Sequence, residues 1–572
     1  MTHFHHRIYG LAPGVDFPKA LVDGLCAHYK NAPPEALACV DVILNTERML
    51  RRVRKLFGQK SGLLHPRLHL ATNLSSLIPM QSLAPTVSKL ATRFELIELV
   101  EKLISEQPDL AARSSIYALA DSLAKLIDEM AGEGVDPDVI ASLDVSDQSG
   151  HWARAQKFVA IAQRYLELRQ ITPDGTLAHR QSVLSLIESW EKDPPKTPVI
   201  VAGSTGSRGT TMLLMKAVAK LPQGVLVLPG FDFDMPASAW EELATSAGSE
   251  DHPQTRFQKL LNETNTALPE VVNWQNVLAP CPARNAFVSL ALRPAPITDA
   301  WLNEGPQLSF LEDATKDITL LEAPDMRQEA LAIALRLKEA VHIGEVAALI
   351  SPNRQLTRQV TAALDRWNIL PDDSAGSPLH LSATGRFMRQ VGQLYSKDLS
   401  SGALLALLKH PLTHSGGKRN IHLRLSRELE LFLRDKRVAF PNAETIENWI
   451  LNRTEPEVAL WADWLLQAFL NKMTSEKRSF ERHFATHIAL CQMIALGHCP
   501  EGDQEIPLLW EGKEGTAIAK TCDAIKEAMH RGGVMLAQDY TNIFGAVLAE
   551  GEVRDPLTPH PNVLIWGTLE AR

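Results

Sequence analysis

The chain has 572 residues, 45% hydrophobic and 22% charged, with a formal net charge of −9. That length is enough for three or four domains with substantial cores. The negative balance excludes a uniformly basic nucleic-acid coat, so any DNA contact must come from local patches. Six cysteines (Cys26, Cys39, Cys281, Cys491, Cys499 and Cys522) form no C-x-x-C pair. They predict a reduced, cytoplasmic chain without a zinc site. No apolar run has the length needed to cross a bilayer, and the start MTHFHHRIYG lacks the apolar centre of a secretory leader.

In chain order, residues 7–70 read as α/β. A strand at Arg7–Tyr9 leads to a helix near Pro18–Tyr29, and a strand at Val40–Leu44 leads to a basic helix, Glu47–Phe57. Residues 90–192 are helical by spacing, with FELIELVEKLI, IYALADSLAKLIDEMA and AQKFVAIAQRYLEL each apolar at every third or fourth position. After the break DPPKTP, strand Val199–Ala202, the loop GSTGSRG, helix Thr210–Lys220 and strand Gly224–Leu228 follow. Residues 231–300 show weak periodicity. A new unit then opens with strand Ile318–Ala323 and helix Arg327–Ala340. Strand Val346–Ile350, helix Gln355–Trp367 and a turn rich in Pro, Asp and Gly continue it. From 385 to about 550 the pattern is helical, and HPNVLIWGTLEAR closes the chain with a strand. Parallel strands joined by crossover helices predict two open sheets covered on both faces, each interrupted by a helical insertion.

A phosphate-binding loop needs G-x-x-x-x-G-K-[ST] between strand and helix: backbone N–H groups cradle the phosphate, Lys neutralises it and the hydroxyl holds Mg²⁺. The first strand runs instead into GLAPGVDF, where Gly10 and Gly14 remain but Asp16 stands near the cation's place. Gly203–Thr211, GSTGSRGTT, follows a strand and opens a helix, yet it also lacks the Lys, and its glycines at 203 and 209 are one residue too far apart. The strand before it ends in Ala202–Gly203, without the acid that would hold Mg²⁺. These absences argue against ATP hydrolysis by this chain.

Two basic patches are the candidates for DNA contact. Arg48, Arg51, Arg52 and Lys55 fall near one face of the helix after the second strand, with Arg54 beside them and Thr46 adding a hydroxyl at its start. The bland alternative is a solvated helix face. Lys418 and Arg419 open the second patch, which Arg424, Arg427, Arg434, Lys436 and Arg437 extend and Glu428, Glu430 and Asp435 dilute. Glu511-Gly512-Lys513 imitates a nuclease E-x-K motif, but its flank reads as helix, and no G-x-S-x-G or H-E-x-x-H motif occurs. No catalytic or metal-binding residue is assigned. Trp367 and Trp566 read as core.

The stretches VDVILNTERMLRRV, PVIVAGSTGS with LPQGVLVLPGFD, LLEAPDMRQEALAIALRL, ISPNRQLTRQV, DDSAGSPL with GRFMRQ, LLALLKHPL and HPNVLIWGTLEAR run in order along nearly the whole chain. As a set they resemble the B-subunit family of AddAB helicase–nucleases, in its alphaproteobacterial form. The resemblance implies an α/β fold of two superfamily 1 helicase-like parallel-sheet domains with large helical insertions. Residues 1–90 and 196–300 would form domain 1A around a 1B-like insertion at 91–195. Residues 301–384 would begin domain 2A, 385–550 its 2B-like insertion and 551–572 its return.

It also implies double-strand break repair alongside a motor-bearing A subunit, with single- and double-stranded DNA ends as ligands and no membrane. By position, Thr46, Arg48, Arg51 and Arg52 resemble a strand-contacting motif, and Arg354 a relic of the nucleotide-facing Arg, matching the relic glycines Gly10 and Gly14. The family continues into a nuclease domain with a metal ion and a four-cysteine iron–sulfur cluster. Neither cofactor is expected in this chain, which stops at Arg572 inside the second motor-like domain and so reads as a fragment or a truncation. The rival expectation is a protein-interaction scaffold for the motor subunit with no DNA contact of its own.

Overall fold

The computed structural model describes residues 4–33, 35–60, 62–78, 88–106, 116–135, 139, 142, 175–245, 249–275, 277–373, 376–416, 418–451, 453–498, 508–553, 559–568 and 571. Its first unit is a six-stranded parallel sheet. The strands are β1 (Ile8–Leu11), β2 (Asp41–Leu44), β3 (Arg67–Leu70), β4 (Val199–Ala202), β5 (Gly224–Pro229) and β6 (Val272–Asn273), in the order β3-β2-β4-β5-β1-β6. Strands β2, β4 and β5 are buried along their whole length, which is why β4 and β5 read as unbroken apolar runs, while β2 opens on Asp41, paired with Arg67 at 2.7 Å.

Helices α1 (Phe17–His28) and α2 (Glu47–Gly58) cover one face of this sheet; helices Gly209–Lys220, Ala237–Thr245 and Thr255–Thr264 cover the other. The division follows from handedness. The chain leaves β1 and β2 towards one edge of the sheet and β4 and β5 towards the other, and right-handed crossovers then fall on opposite faces. Helix α2 buries Leu50, Val53 and Phe57, the three- and four-residue spacing that leaves its arginines outside.

Helix α1 meets the β6 side at Gly24. The Trp274 indole lies across it and donates Nε1–H to Ala20 O at 3.1 Å, while a Cβ on Gly24 would stand 2.0 Å from that nitrogen. Gly24→Ala should therefore destabilise the first unit by about 1–3 kcal/mol despite the better helix propensity of Ala. An unchanged urea midpoint would show that the ring can move aside.

The second unit has strands Ala347–Ile350, Val563–Trp566 and Asp372–Asp373, all parallel, with Val563–Trp566 in the middle. Helices Met326–Ile343 and Arg354–Asp365 pack on one face through Ala334, Leu337, Val360 and Leu364. The strand expected at Ile318–Ala323 is absent. That segment is irregular, and Ile318, Leu320 and Leu321 are exposed. A strand without a ladder partner gains no hydrogen bonds, and among the described residues none lies beside it.

Helices Lys89–Glu106 and Ile116–Glu133 lie between β3 and β4 in the chain. They share one apolar core with the helices between residues 383 and 550. The Phe94 and Phe480 rings meet at 4.7 Å, and Glu95 accepts from Arg531 at 2.5 Å. Spacing within a helix marks its apolar face but not which distant helix will cover it. Helix Gly175–Lys192 instead joins the first sheet through Val183 and Leu186. The expected helix across AQKFVAIAQRYLEL lies outside the described residues.

Candidate nucleic-acid interface

All six strands of the first sheet are parallel, so every loop that follows a strand opens at one edge. Neighbouring strands β1 and β5 send their connections in opposite directions there, the arrangement that leaves a crevice for ligands.

The crevice at the start of α1 is already supplied with an anion. Asp16 caps the helix, its Oδ1 accepting from Lys19 N–H at 3.2 Å, and Pro18 removes another donor from the first turn. Gly14 holds φ +83°, and Gly10 lies under Phe231 and Phe233 with no room for a Cβ. The loop keeps the glycines of a phosphate cradle while an internal carboxylate occupies the helix end.

The second glycine loop is filled in the same way. Gly209 N–H, at the start of its helix, donates to Glu133 Oε1 at 3.1 Å, and Thr210 Oγ1 donates to Gly132 O at 3.0 Å. A phosphate at either helix would have to displace a carboxylate, and Lys19 in the first turn of α1 is turned to Asp23 at 2.7 Å. Millimolar ATP with Mg²⁺ should leave the melting temperature of the chain unchanged. A rise of several degrees would mean that one of these carboxylates yields.

The proposed strand-contacting residues divide into two groups. Thr46 spends its hydroxyl on capping α2, accepting from Met49 N–H at 3.2 Å. Arg48 turns to the second unit: it is 3.1 Å from Asp372 and lies over the Trp566 ring at 5.9 Å, which leaves Trp566 half-buried under a cation and outside the core. Arg52 is paired with Asp16 at 3.4 Å but stays half-exposed. Arg51, Arg54 and Lys55 are exposed, with no acid opposite them among the described residues. The patch therefore sits where the carboxyl ends of the two sheets meet.

The second patch is less available. Arg419 donates to Thr413 O and, at 3.1 Å, to His410 O, so it braces a turn. Burial pushes its pKa down. Arg424 pairs with Glu428 and Glu455, and Arg434 with Glu430. Lys418, held at φ 45° before helix Arg419–Asp435, remains exposed.

Arg354 begins helix Arg354–Asp365 and lies 3.6 Å from Asp373. It lines a cleft of about 220 Å³ with Arg358, Gly376, Pro378 and Ala549–Glu552. No residue of the Gly10–Asp16 loop borders that cleft, so the expected relic nucleotide residues do not converge there.

Sequence reading missed Arg358, on helix Arg354–Asp365, and Arg386 and Arg389, three residues apart on helix Ala383–Gln393; none has an acid partner among the described residues. Arg389 donates to His380 O at 3.4 Å. Burial, then Arg389 and Arg358, lower the pKa of His380. Burial, then Arg386 and Arg419, push that of His410 down to about 4.

Among the described residues no helix is long and apolar enough to cross a membrane, and no group of three or more His, Cys, Asp or Glu could hold a metal ion. Glu511 immediately precedes helix Gly512–Ala528 and Lys513 lies in its first turn, as the flanking pattern predicts.

The chain is thus an α/β protein in which a six-stranded and a three-stranded parallel sheet are bridged by Arg48 and accompanied by a shared helical core. No protein-family model matches it, and no curated protein matches it significantly.

Proposed function

We propose that this chain is a noncatalytic, helicase-like DNA-binding subunit of the AddAB B-subunit type. It holds single-stranded DNA during resection of a double-strand break while a motor-bearing partner moves the strand. The observation that carries the reading is the junction at α2. Helicase-like domains 1A and 2A would meet at their carboxyl edges, and there the Arg48–Asp372 pair sits beside the open arginines Arg51 and Arg54. The carboxylates at both glycine loops support a role without ATP turnover. The exposed cations on α2, together with Arg358, Arg386 and Arg389, supply phosphate contacts against an acidic background.

The scaffold alternative draws support from the net charge of −9 and from the acids that engage Arg48 and Arg52. Fluorescence anisotropy of a labelled single-stranded oligonucleotide with this chain alone separates the two. Direct binding is expected. Binding that appears only when the motor subunit is added would favour the scaffold.

A further inference from the structure

Strands β2 and β3 meet in the register Asp41–Arg67 and Ile43–His69, so the side chains of Asp41, Arg67 and His69 project to one face of the first sheet. Asp41 is 5% exposed there and holds two partners. Its Oδ2 accepts from Arg67 Nη2 at 2.7 Å, and its Oδ1 lies 2.8 Å from His69 Nε2. The imidazole reaches on to Ser76, in the segment after β3, whose Oγ lies 2.9 Å from Nδ1. The His69 side chain is only 10% exposed, whereas Ser76 faces solvent. These bonds fix the direction of donation. A carboxylate paired with Arg67 only accepts, so His69 carries its proton on Nε2. Nδ1 keeps its lone pair, and the Ser76 hydroxyl donates to it. Among the described residues no hydrogen bond uses Ser76 N–H.

We propose that Ser76 is a nucleophile activated by His69 and that it takes an acyl group from a small acyl ester. An accessible hydroxyl bonded to a ring nitrogen, with the ring oriented by a buried carboxylate, is the arrangement that makes a serine reactive. As Oγ bonds to the carbonyl carbon, its proton passes to His69 Nδ1. The carbonyl oxygen becomes an oxyanion, and Ser76 N–H is the donor available to it. The bond from carbon to the leaving oxygen then breaks, and that oxygen takes the proton from Nδ1. The products are acyl-Ser76 and an alcohol. Asp41 touches none of the reacting atoms; it positions the ring and holds the tautomer. Because Ser76 is exposed, a small ester reaches it without rearrangement of the sheet. This inference involves no nucleotide and does not depend on the DNA reading.

The test is reaction of the full-length chain with a fluorophosphonate, which bonds to a reactive serine with loss of fluoride, followed by peptide mass spectrometry. Label is expected on Ser76 and not on Ser75, an exposed neighbour whose hydroxyl is turned to Asn73 at 2.8 Å. His69→Gln should slow the labelling about 100-fold, with unchanged circular dichroism. p-Nitrophenyl acetate should release a burst of about one p-nitrophenol per chain, absent in Ser76→Ala. An unlabelled Ser76, or equal labelling of Ser75 and Ser76, would overturn the proposal. So would labelling of Ser76 at the same rate in a folded His69→Gln chain, which would leave the three side chains as a brace for the turn. If His69→Gln unfolds, the comparison of Ser75 with Ser76 decides alone.

Discussion

Bringing the pH from 7 to 5 should weaken the helical core by several kcal/mol while costing the six-stranded sheet less. His487 is fully buried, with Nε2–H donating to Met388 O and Nδ1 accepting from Tyr540 O–H, each at 2.8 Å. Burial pushes its pKa down from 6.5 to about 4. His422 is equally buried: its Nε2–H donates to Leu408 O at 2.7 Å and its Nδ1 accepts from Trp461 Nε1–H at 3.0 Å. Burial pushes it down to about 3. Both rings are neutral when folded, whereas in the unfolded chain each takes up a proton near pH 6.5.

Stability is therefore complete above pH 6.5 and is lost as pH falls, through about 4 for His487 and about 3 for His422. At pH 5 the loss is about 2 kcal/mol for each ring. Most carboxylates are still ionised there, so acid titration of Asp and Glu contributes little. Trp449, Trp461 and Trp464 lie in this core, whereas Trp240 and Trp274 belong to the first sheet. Urea unfolding at pH 7 and pH 5, followed by tryptophan fluorescence, should show the transition of the helical core moving to lower urea. Equal midpoints at the two pH values would mean that these histidines are protonated in the folded protein.

The second large effect concerns α2. Arg51→Glu combined with Arg52→Glu should lower the affinity for single-stranded DNA by about 100-fold or more, because it removes two cations and adds two anions. Arg52→Glu also places two acids together at the start of α1, since Arg52 pairs with Asp16. Arg51→Glu with Arg54→Glu avoids that perturbation, because neither residue faces an acid among the described residues. This second pair should reproduce most of the loss with an unchanged melting temperature. If the first pair weakens binding and the second does not, the effect arises from the α1 loop and α2 is no phosphate track.

The elements that rest on local pattern were legible. Strands β4 and β5 are continuous apolar runs, and α2 announces itself through Thr46, Glu47 and the spacing of Leu50, Val53 and Phe57. The carboxylate at the start of α1 could also be seen in Asp16. What fills the second loop could not, because Glu133 comes from a helix more than seventy residues away. The partners of Arg48 and Arg419 could not be read either. Both sit in basic clusters; the partner of Arg48, Asp372, is fixed by tertiary folding, whereas Arg419 is held by the carbonyls of His410 and Thr413 in the turn before its helix, and side-chain-to-carbonyl bonds leave no mark in a charge pattern. Ile318–Ala323 has the composition of a strand, yet composition cannot provide the neighbour that a strand needs. Arg386 and Arg389 are three residues apart on one helix, but Arg358 reaches the same histidine as Arg389 from another helix, which no local run announces.

Whether this chain touches DNA by itself is decided most directly by the salt dependence of its binding. Purified chain, without any partner, would be titrated into a labelled single-stranded oligonucleotide at about 50 mM and about 200 mM salt. Contact through four or more of the exposed cations predicts measurable binding that weakens by about 50-fold between the two. Binding that is absent at the lower salt, or that has the same affinity at both, would contradict a phosphate-holding subunit and leave the scaffold reading in its place.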